Sequence, residues 1–157
     1  MPLPSDVLIP RSLLRDPDSF GGTLEADCQR GTPKVAGNRI VALAAAEPTD
    51  APKILLPRLT EAHAHLDKCH TLPRMGPVAG DLEKAIAAQF EDKKHWTEDD
   101  IRARATRGLR EAVAAGTGLL RSHVDWGAGI EAPLAWDVLK SLAHEAEGIT
   151  LTLSHLA

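Results

Sequence analysis

Two histidines separated by one residue, His63 and His65, have the residue type and spacing of a metal-binding pair. Side chains alternate between the two faces of a β-strand, so in a strand both imidazoles point the same way. The surrounding residues favour a strand that opens at Pro57 and places Leu59 and Glu61 on the histidine side. Two neutral imidazoles on one face can bind zinc, iron or nickel. The alternative is a pair of hydrogen-bonded core histidines, because this spacing also occurs by chance.

The elements that position this pair belong to an alternating strand and helix pattern that begins near residue 54. In chain order we predict the histidine strand, a helix near 81–93, a helix from Thr97, a strand at 118–124, a helix at about 133–147 and a strand at 149–154. Thr97 can cap the second helix, and Gly116 suits the position just past its end. Such alternation is typical of parallel βαβ units, and it predicts an α/β fold class.

Residues up to about Lys53 follow a different pattern. Short apolar runs at 7–9 and 40–43 are separated by Asp-Pro, Gly-Gly and Gly-Thr-Pro, which favours short strands broken by turns. We therefore expect two domains, an incomplete β module at 1–53 and an α/β region at 54–157.

Three stretches in the expected order resemble the amidohydrolase superfamily, in its cytosine deaminase-like branch. Leu-Pro-Arg-Leu-Thr-Glu-Ala-His-Ala-His-Leu-Asp-Lys at 56–68 resembles the opening metal motif of that superfamily. Arg-Ser-His-Val-Asp at 121–125 is similar to the second barrel strand of the branch, and Gly-Asn-Arg-Ile at 37–40 to a strand of the small β domain that precedes the barrel. Arg58 is a departure, because the family usually has glycine after the proline.

The resemblance implies a partial (β/α)8 TIM-barrel, about its first three strands, preceded by part of a small β-sandwich. It implies that His63 and His65 bind a divalent metal, zinc or iron, that activates water for attack on a C–N bond. The implied activity is that of an amidohydrolase or deaminase, and the implied substrate is a small nucleobase-like ring or cyclic amide. The family's remaining ligands and its catalytic aspartate come from later strands, so we assign no catalytic residue here.

The length of 157 residues is short of the roughly 250 that a complete barrel takes. We therefore expect an N-terminal portion with little activity of its own. The alternative is a non-catalytic fragment, or one half of a split enzyme that works only with a complementing chain or through homo-oligomer formation.

Several other polar residues near the motif are candidates for supporting roles. His123 and Asp125 share one face of the second predicted strand, where they can orient a metal ligand or be satisfied by neighbouring backbone. Asp67 and Lys68 are expected to form ion pairs and shape the loop, and Glu61 to tie strands or bond a ligand. His155 at the end of the third strand is left unassigned, and His70, His95 and His144 are expected to face solvent.

Composition and charge narrow the class of protein. The formal charge of −4 gives no reason to expect nucleic acid or an anionic membrane as a partner. The longest apolar run is far too short to span a bilayer, and no secretory signal is present, so we expect a cytoplasmic protein. Cys28 and Cys69 lack metal-site spacing and are expected to be idle thiols. A doubly wound nucleotide-binding domain has no support, because no Gly-x-Gly-x-x-Gly or Walker loop is present.

Overall fold

The computed structural model describes residues 3–127 and 129–156 and divides the chain into two compact units, one up to Pro57 and one from Arg58. The sequence places the boundary after Lys53. In the structure the first unit continues further, because Lys53 and Ile54 form a short strand that pairs with its first strand.

The first unit is a five-stranded, mainly antiparallel sheet. Its strands are β1 (Val7–Pro10), β2 (Thr23–Glu25), β3 (Cys28–Ala36), β4 (Arg39–Ala44) and β5 (Lys53–Ile54). The two predicted apolar runs lie in β1 and β4, and Val7, Ile9 and Leu43 from these strands form a small buried cluster. Gly37 turns the chain between β3 and β4 with a φ of 61°, a backbone conformation that glycine adopts without strain. The expected sandwich stays a prediction.

The second unit is a parallel three-stranded sheet in the order β6-β7-β8. Its elements are β6 (Leu59–Ala64), α1 (Leu82–Lys93), α2 (Glu98–Ala114), β7 (Thr117–Asp125), α3 (Leu134–Glu145) and β8 (Thr150–Leu156). The predicted strand and helix alternation is confirmed, and the molecule is mixed α/β. Thr97 caps α2 by accepting a hydrogen bond from the backbone N–H of Asp100, and Gly116 follows α2 with a φ of 86°.

Two helices cover one face of this sheet and leave mainly polar side chains on the other face. Residues of α2 and α3, among them Ile101, Leu109, Val138 and Leu139, pack on the strands in one buried cluster. Along β7 the buried residues alternate with more exposed ones, so Leu120 and Val124 face the helices. His123 and Asp125 therefore lie on the opposite face.

Arg58 binds the strands together at their amino-terminal ends. Its guanidinium donates to the backbone carbonyl of Thr117, 3.0 Å away, and to that of Gly148. The arginine also approaches Gly118 so closely that a Cβ there would lie 2.9 Å from the Arg58 Cβ. The departure from the family pattern thus has a structural role, which a glycine at this position lacks.

Among the described residues, no helix is both long enough and apolar enough to cross a membrane.

Candidate metal site

The two histidines of the motif converge on one point. The Nε2 atoms of His63 and His65 lie 3.3 Å apart, although β6 ends at Ala64 and His65 is just past the strand rather than inside it. A zinc ion about 2.0–2.1 Å from each nitrogen in tetrahedral geometry separates the two atoms by roughly 3.3–3.4 Å. The spacing of this nitrogen pair therefore fits a shared metal ion, and it also fits the alternative of a hydrogen bond between the two imidazoles.

The other ring nitrogen of His65 faces two carboxylates. Its Nδ1 atom is 3.7 Å from Oδ1 of Asp67 and 3.8 Å from Oδ1 of Asp125. Asp67 is almost fully buried at 1% exposure, and its Oδ2 accepts a hydrogen bond from the backbone N–H of Asp125. Both His65 Nδ1 and Asp67 Oδ1 are buried without a hydrogen-bond partner. At 3.7 Å these two atoms are too far apart for a hydrogen bond, but they face each other, as a proton on Nδ1 directed at the carboxylate requires.

A second possible metal position involves the same residues. One ligand atom from each of His65, Asp67 and Asp125 lies within 4.8 Å of the others, as an ion held by one nitrogen and two oxygens requires. However, Asp125 already forms a 2.6 Å ion pair with Lys68. Metal-binding histidines usually give one nitrogen to the ion and the other to a carboxylate. That pattern favours metal at Nε2 and the carboxylates at Nδ1.

Burial sets the protonation state of this cluster. The pKa of His65 is lowered mainly because its ring is partly buried, with the Lys68 ammonium adding to the effect. The pKa of Asp67 is raised mainly by burial of its carboxyl group. A neutral His65 at neutral pH leaves a free lone pair on one ring nitrogen, which is the form that binds metal.

His123 supports His63 through ring stacking. The two ring centroids are 4.0 Å apart and the planes differ by 30°. Each imidazole binds an ion in its own ring plane, so stacked rings do not share one ion. Stacking in this geometry is compatible with the supporting role expected from the sequence, in which His123 orients the His63 ring. That role stays a prediction.

The remaining candidate residues differ in whether the structure brings them to the site. Lys68 forms the expected ion pair, and Glu61 accepts a hydrogen bond from the backbone N–H of His63 at 2.9 Å. His155 is not brought to the site, because it lies on the helix-covered side and contacts the Trp126 ring. His70 is not simply solvent-facing, since it is half-buried and its Nε2 is 3.1 Å from a Glu111 carboxylate oxygen.

Cys69 also lies beside the motif, in the loop that follows it. Burial raises the pKa of its thiol to about 11, so almost none of it is thiolate at neutral pH. Because the thiolate is the reactive form, the structure favours the idle thiol expected from the sequence.

Sequence reasoning missed Arg104, a buried residue of α2 whose guanidinium reaches this loop. It donates to the backbone carbonyls of Asp67 and Cys69. The signal was present in the sequence: Arg104 lies between Ile101 and Ala105 on the apolar stripe of an amphipathic helix, where a charged residue needs a buried partner.

Comparison with known proteins gives three informative matches, although no model of a known protein family matches this chain. The pterin deaminase of Rhizobium rhizogenes is 35% identical over 91 residues, which are 57% of this chain and 20% of that protein. The crystal structure of 5-methylcytosine deaminase from Klebsiella pneumoniae with 5-fluorocytosine is 29% identical, with a TM-score of 0.60. The same enzyme with phosphonocytosine is 30% identical, also with a TM-score of 0.60.

These matches cover much of this chain and only a small part of its relatives. The two solved structures cover 73% of the chain, which corresponds to 29% and 30% of their own chains. The chain therefore spans about a fifth to a third of the length of the proteins that it matches. Over that part, the matches point to the amidohydrolase superfamily, in its cytosine deaminase-like branch.

Proposed function

We propose that the protein provides the first metal-binding segment of a metal-dependent deaminase or amidohydrolase. Its βαβαβ unit would be the first three strands of a TIM barrel, and the substrate would be a cyclic amidine or amide whose C–N bond is hydrolysed. The observation that carries the proposal is the 3.3 Å separation of the His63 and His65 Nε2 atoms on the open face of a parallel sheet.

The residues present have separate tasks in this proposal. His63 and His65 hold a divalent zinc or iron ion through Nε2. The ion, when bound, supplies the Lewis acidity that activates water at neutral pH. Asp67 and Asp125 keep the proton of His65 on Nδ1, which leaves the Nε2 lone pair directed at the ion. Lys68 holds Asp125 in place through their ion pair.

The relatives suggest the class of substrate. One is named for pterin, and the other was solved with 5-fluorocytosine and with phosphonocytosine. We therefore propose a planar, nitrogen-containing ring that loses ammonia or an amine.

The number of ligands favours a second candidate, in which the activity needs a complementing chain or self-association. Within the described residues, the Nε2 pair supplies two ligands, whereas a catalytic zinc site usually has three protein ligands. The remaining donors would then come from outside these residues. This candidate uses the same two histidine ligands and differs only in where the remaining ligands come from.

Metal binding by the purified chain tests the proposal directly. We expect the chain to bind Co²⁺ or Zn²⁺ in competition with a chromophoric chelator. His63→Ala and His65→Ala should each weaken metal binding by more than about 100-fold, because loss of a ligand costs more than loss of a residue that only supports a ligand. His144→Ala is the matched control, because His144 is exposed on α3. If His63→Ala leaves the affinity unchanged, the metal does not lie at the Nε2 pair and the proposal is wrong.

A further inference from the structure

Arg104 is a buried charged residue whose guanidinium reaches the loop that follows the candidate metal ligands. It belongs to α2 and is 8% exposed. A buried arginine is costly unless its guanidinium is paired and hydrogen-bonded. Its hydrogen bonds therefore indicate what the residue does.

The guanidinium holds the backbone directly after His65. Its Nη1 donates to the carbonyl of Asp67 at 2.7 Å and to the carbonyl of Cys69 at 3.0 Å. These two carbonyls lie on either side of Lys68, so one nitrogen fixes three successive residues of the loop. The same loop carries the Asp67 carboxylate that faces His65 Nδ1.

Arg104 is itself held from two other sides. Its Nε donates to Oδ2 of Asp100 at 3.0 Å, and its guanidinium carbon lies 4.9 Å from the centroid of the Trp96 ring. Asp100 also pairs with Arg74 at 2.6 Å. The planar guanidinium is thus locked between an ion pair, an aromatic ring and the loop carbonyls, a set of contacts that an ammonium group cannot reproduce.

We propose that Arg104 is a positioning residue for the candidate metal site, acting through the loop backbone to place the Asp67 carboxylate against His65. This inference rests on the proposed function, since it assigns a remote support to the same pair of ligands. Fixing the Asp67 carbonyl fixes where its side chain begins. Asp67 in turn fixes the tautomer and the ring orientation of His65. Arg104 therefore contributes to metal affinity without touching the metal.

The main test compares Arg104→Lys with Arg102→Lys. Arg102 lies on the same helix and donates to Glu145 at 2.9 Å and Ser141 at 3.1 Å on α3, so its substitution disturbs helix packing without disturbing the loop. We expect Arg104→Lys to weaken Co²⁺ binding by about tenfold, the lower end of the loss for outer partners of a ligand, and to change the visible Co²⁺ spectrum. Arg102→Lys should leave both unchanged.

A second measurement needs no metal. In the metal-free chain, the ¹⁵N resonances of the His65 ring report its tautomer. We expect one defined tautomer with the proton on Nδ1 in the wild type and in Arg102→Lys, and exchange between tautomers in Arg104→Lys. Asp100→Asn, which leaves the carbonyl contacts in place and removes one support of the guanidinium, should give a smaller change in the same direction. It is the fallback if Arg104→Lys does not fold.

The outcomes separate this inference from the proposed function. Equal Co²⁺ affinity and an unchanged His65 tautomer in the folded Arg104→Lys variant would overturn the positioning role. An equal loss of affinity in Arg104→Lys and Arg102→Lys would overturn it too, since the loss then reflects helix packing. If the wild type binds Co²⁺ no better than His63→Ala, the proposed function fails, and the tautomer measurement still decides the role of Arg104.

Discussion

Each unit of the molecule buries an aspartate close to an arginine, and the two pairs are built differently. In the first unit, Asp6 is 4% exposed, and its carboxylate accepts hydrogen bonds from Arg30 at 2.9 and 2.7 Å and from the Thr49 backbone and hydroxyl at 2.8 Å. In the second unit, Arg104 bonds the backbone carbonyl of Asp67, and one carboxylate oxygen of Asp67 has no hydrogen-bond partner. One arginine neutralises a carboxylate, whereas the other positions one.

The two carboxyl groups consequently have pKa values shifted in opposite directions. The Arg30 guanidinium holds the pKa of Asp6 well below its usual range, and burial raises the pKa of Asp67. A carboxylate with every oxygen satisfied stabilises the fold. A buried carboxylate with a free oxygen beside a histidine nitrogen costs stability and is retained where it serves a site. The comparison therefore identifies Asp6 as structural and Asp67 as part of the candidate site.

Replacement of Asp67 tests the functional half of this comparison and should have the largest effect. Asp67→Asn keeps the side-chain shape and removes the charge facing His65 Nδ1, so we expect Co²⁺ affinity to fall by about 10- to 100-fold. The stability of the variant at pH 7 should equal or exceed that of the wild type. The raised pKa of Asp67 means that the folded state disfavours its ionised form at this pH. Chelator competition and chemical unfolding measure the two quantities, and a large loss of stability with unchanged affinity would reverse the assignment.

Replacement of Asp6 tests the structural half. Asp6→Asn removes the buried charged partner of Arg30, whose side chain is 13% exposed and then keeps its ion pair with the more exposed Glu25. Amides of β1 and β3 should therefore exchange with solvent about tenfold faster or more. Hydrogen exchange is the suitable probe, because all three tryptophans lie in the second unit. Co²⁺ affinity should not change. Asp18→Asn is the control, since this exposed partner of Arg11 contributes little. Equal exchange in the two variants would show that burial of the Asp6 pair is immaterial.

The sequence predicted the local elements better than the contacts between them. The cap at Thr97, the turn at Gly116 and the strand and helix alternation depend on neighbouring residues, so their patterns are visible in the sequence. The Asp6–Arg30 pair joins residues 24 positions apart, and Arg104 meets the Asp67 carbonyl across 37 positions. Such partners become known only when the chain is folded.

In the candidate site, too, the local pattern was predictable and the contacts between elements were not. Strand periodicity predicted that His63 and His65 point the same way, and the two rings do converge, although His65 lies just past the end of β6. Both residues were identified from the spacing of the motif. The stacking of His123 on His63 depends on the register between β6 and β7, which shifts between Glu61 and Ala64. A local irregularity of this kind leaves no mark in the sequence pattern.

Asp100 offers the smallest and most specific test. Its carboxylate oxygens accept hydrogen bonds from arginines, as those of Asp6 do, but one of these arginines is Arg104, which belongs to the support of the candidate site. Hydrogen bonds from Arg74 lower its pKa from 3.8 to about 2, with Arg104 adding to the effect. A lowered folded-state pKa means that its contribution to stability is complete above pH 3.8 and is lost as the pH falls through about 2. The wild type should therefore exceed Asp100→Asn in unfolding free energy by on the order of 1 kcal/mol at pH 6, since the side chain is partly exposed.

The pH dependence of this difference decides whether the ion pairs cause it. Unfolding titrations should show a constant gap between the wild type and Asp100→Asn from pH 7 down to about 4, and convergence below about pH 2. Asp99→Asn is the matched control, because Asp99 shares the first turn of α2 and its favourable helix dipole. A gap that persists below pH 2, or one that Asp99→Asn reproduces in full, would mean that Asp100 acts through the helix terminus. In that case the support of Arg104 would lie with Trp96 and the loop carbonyls.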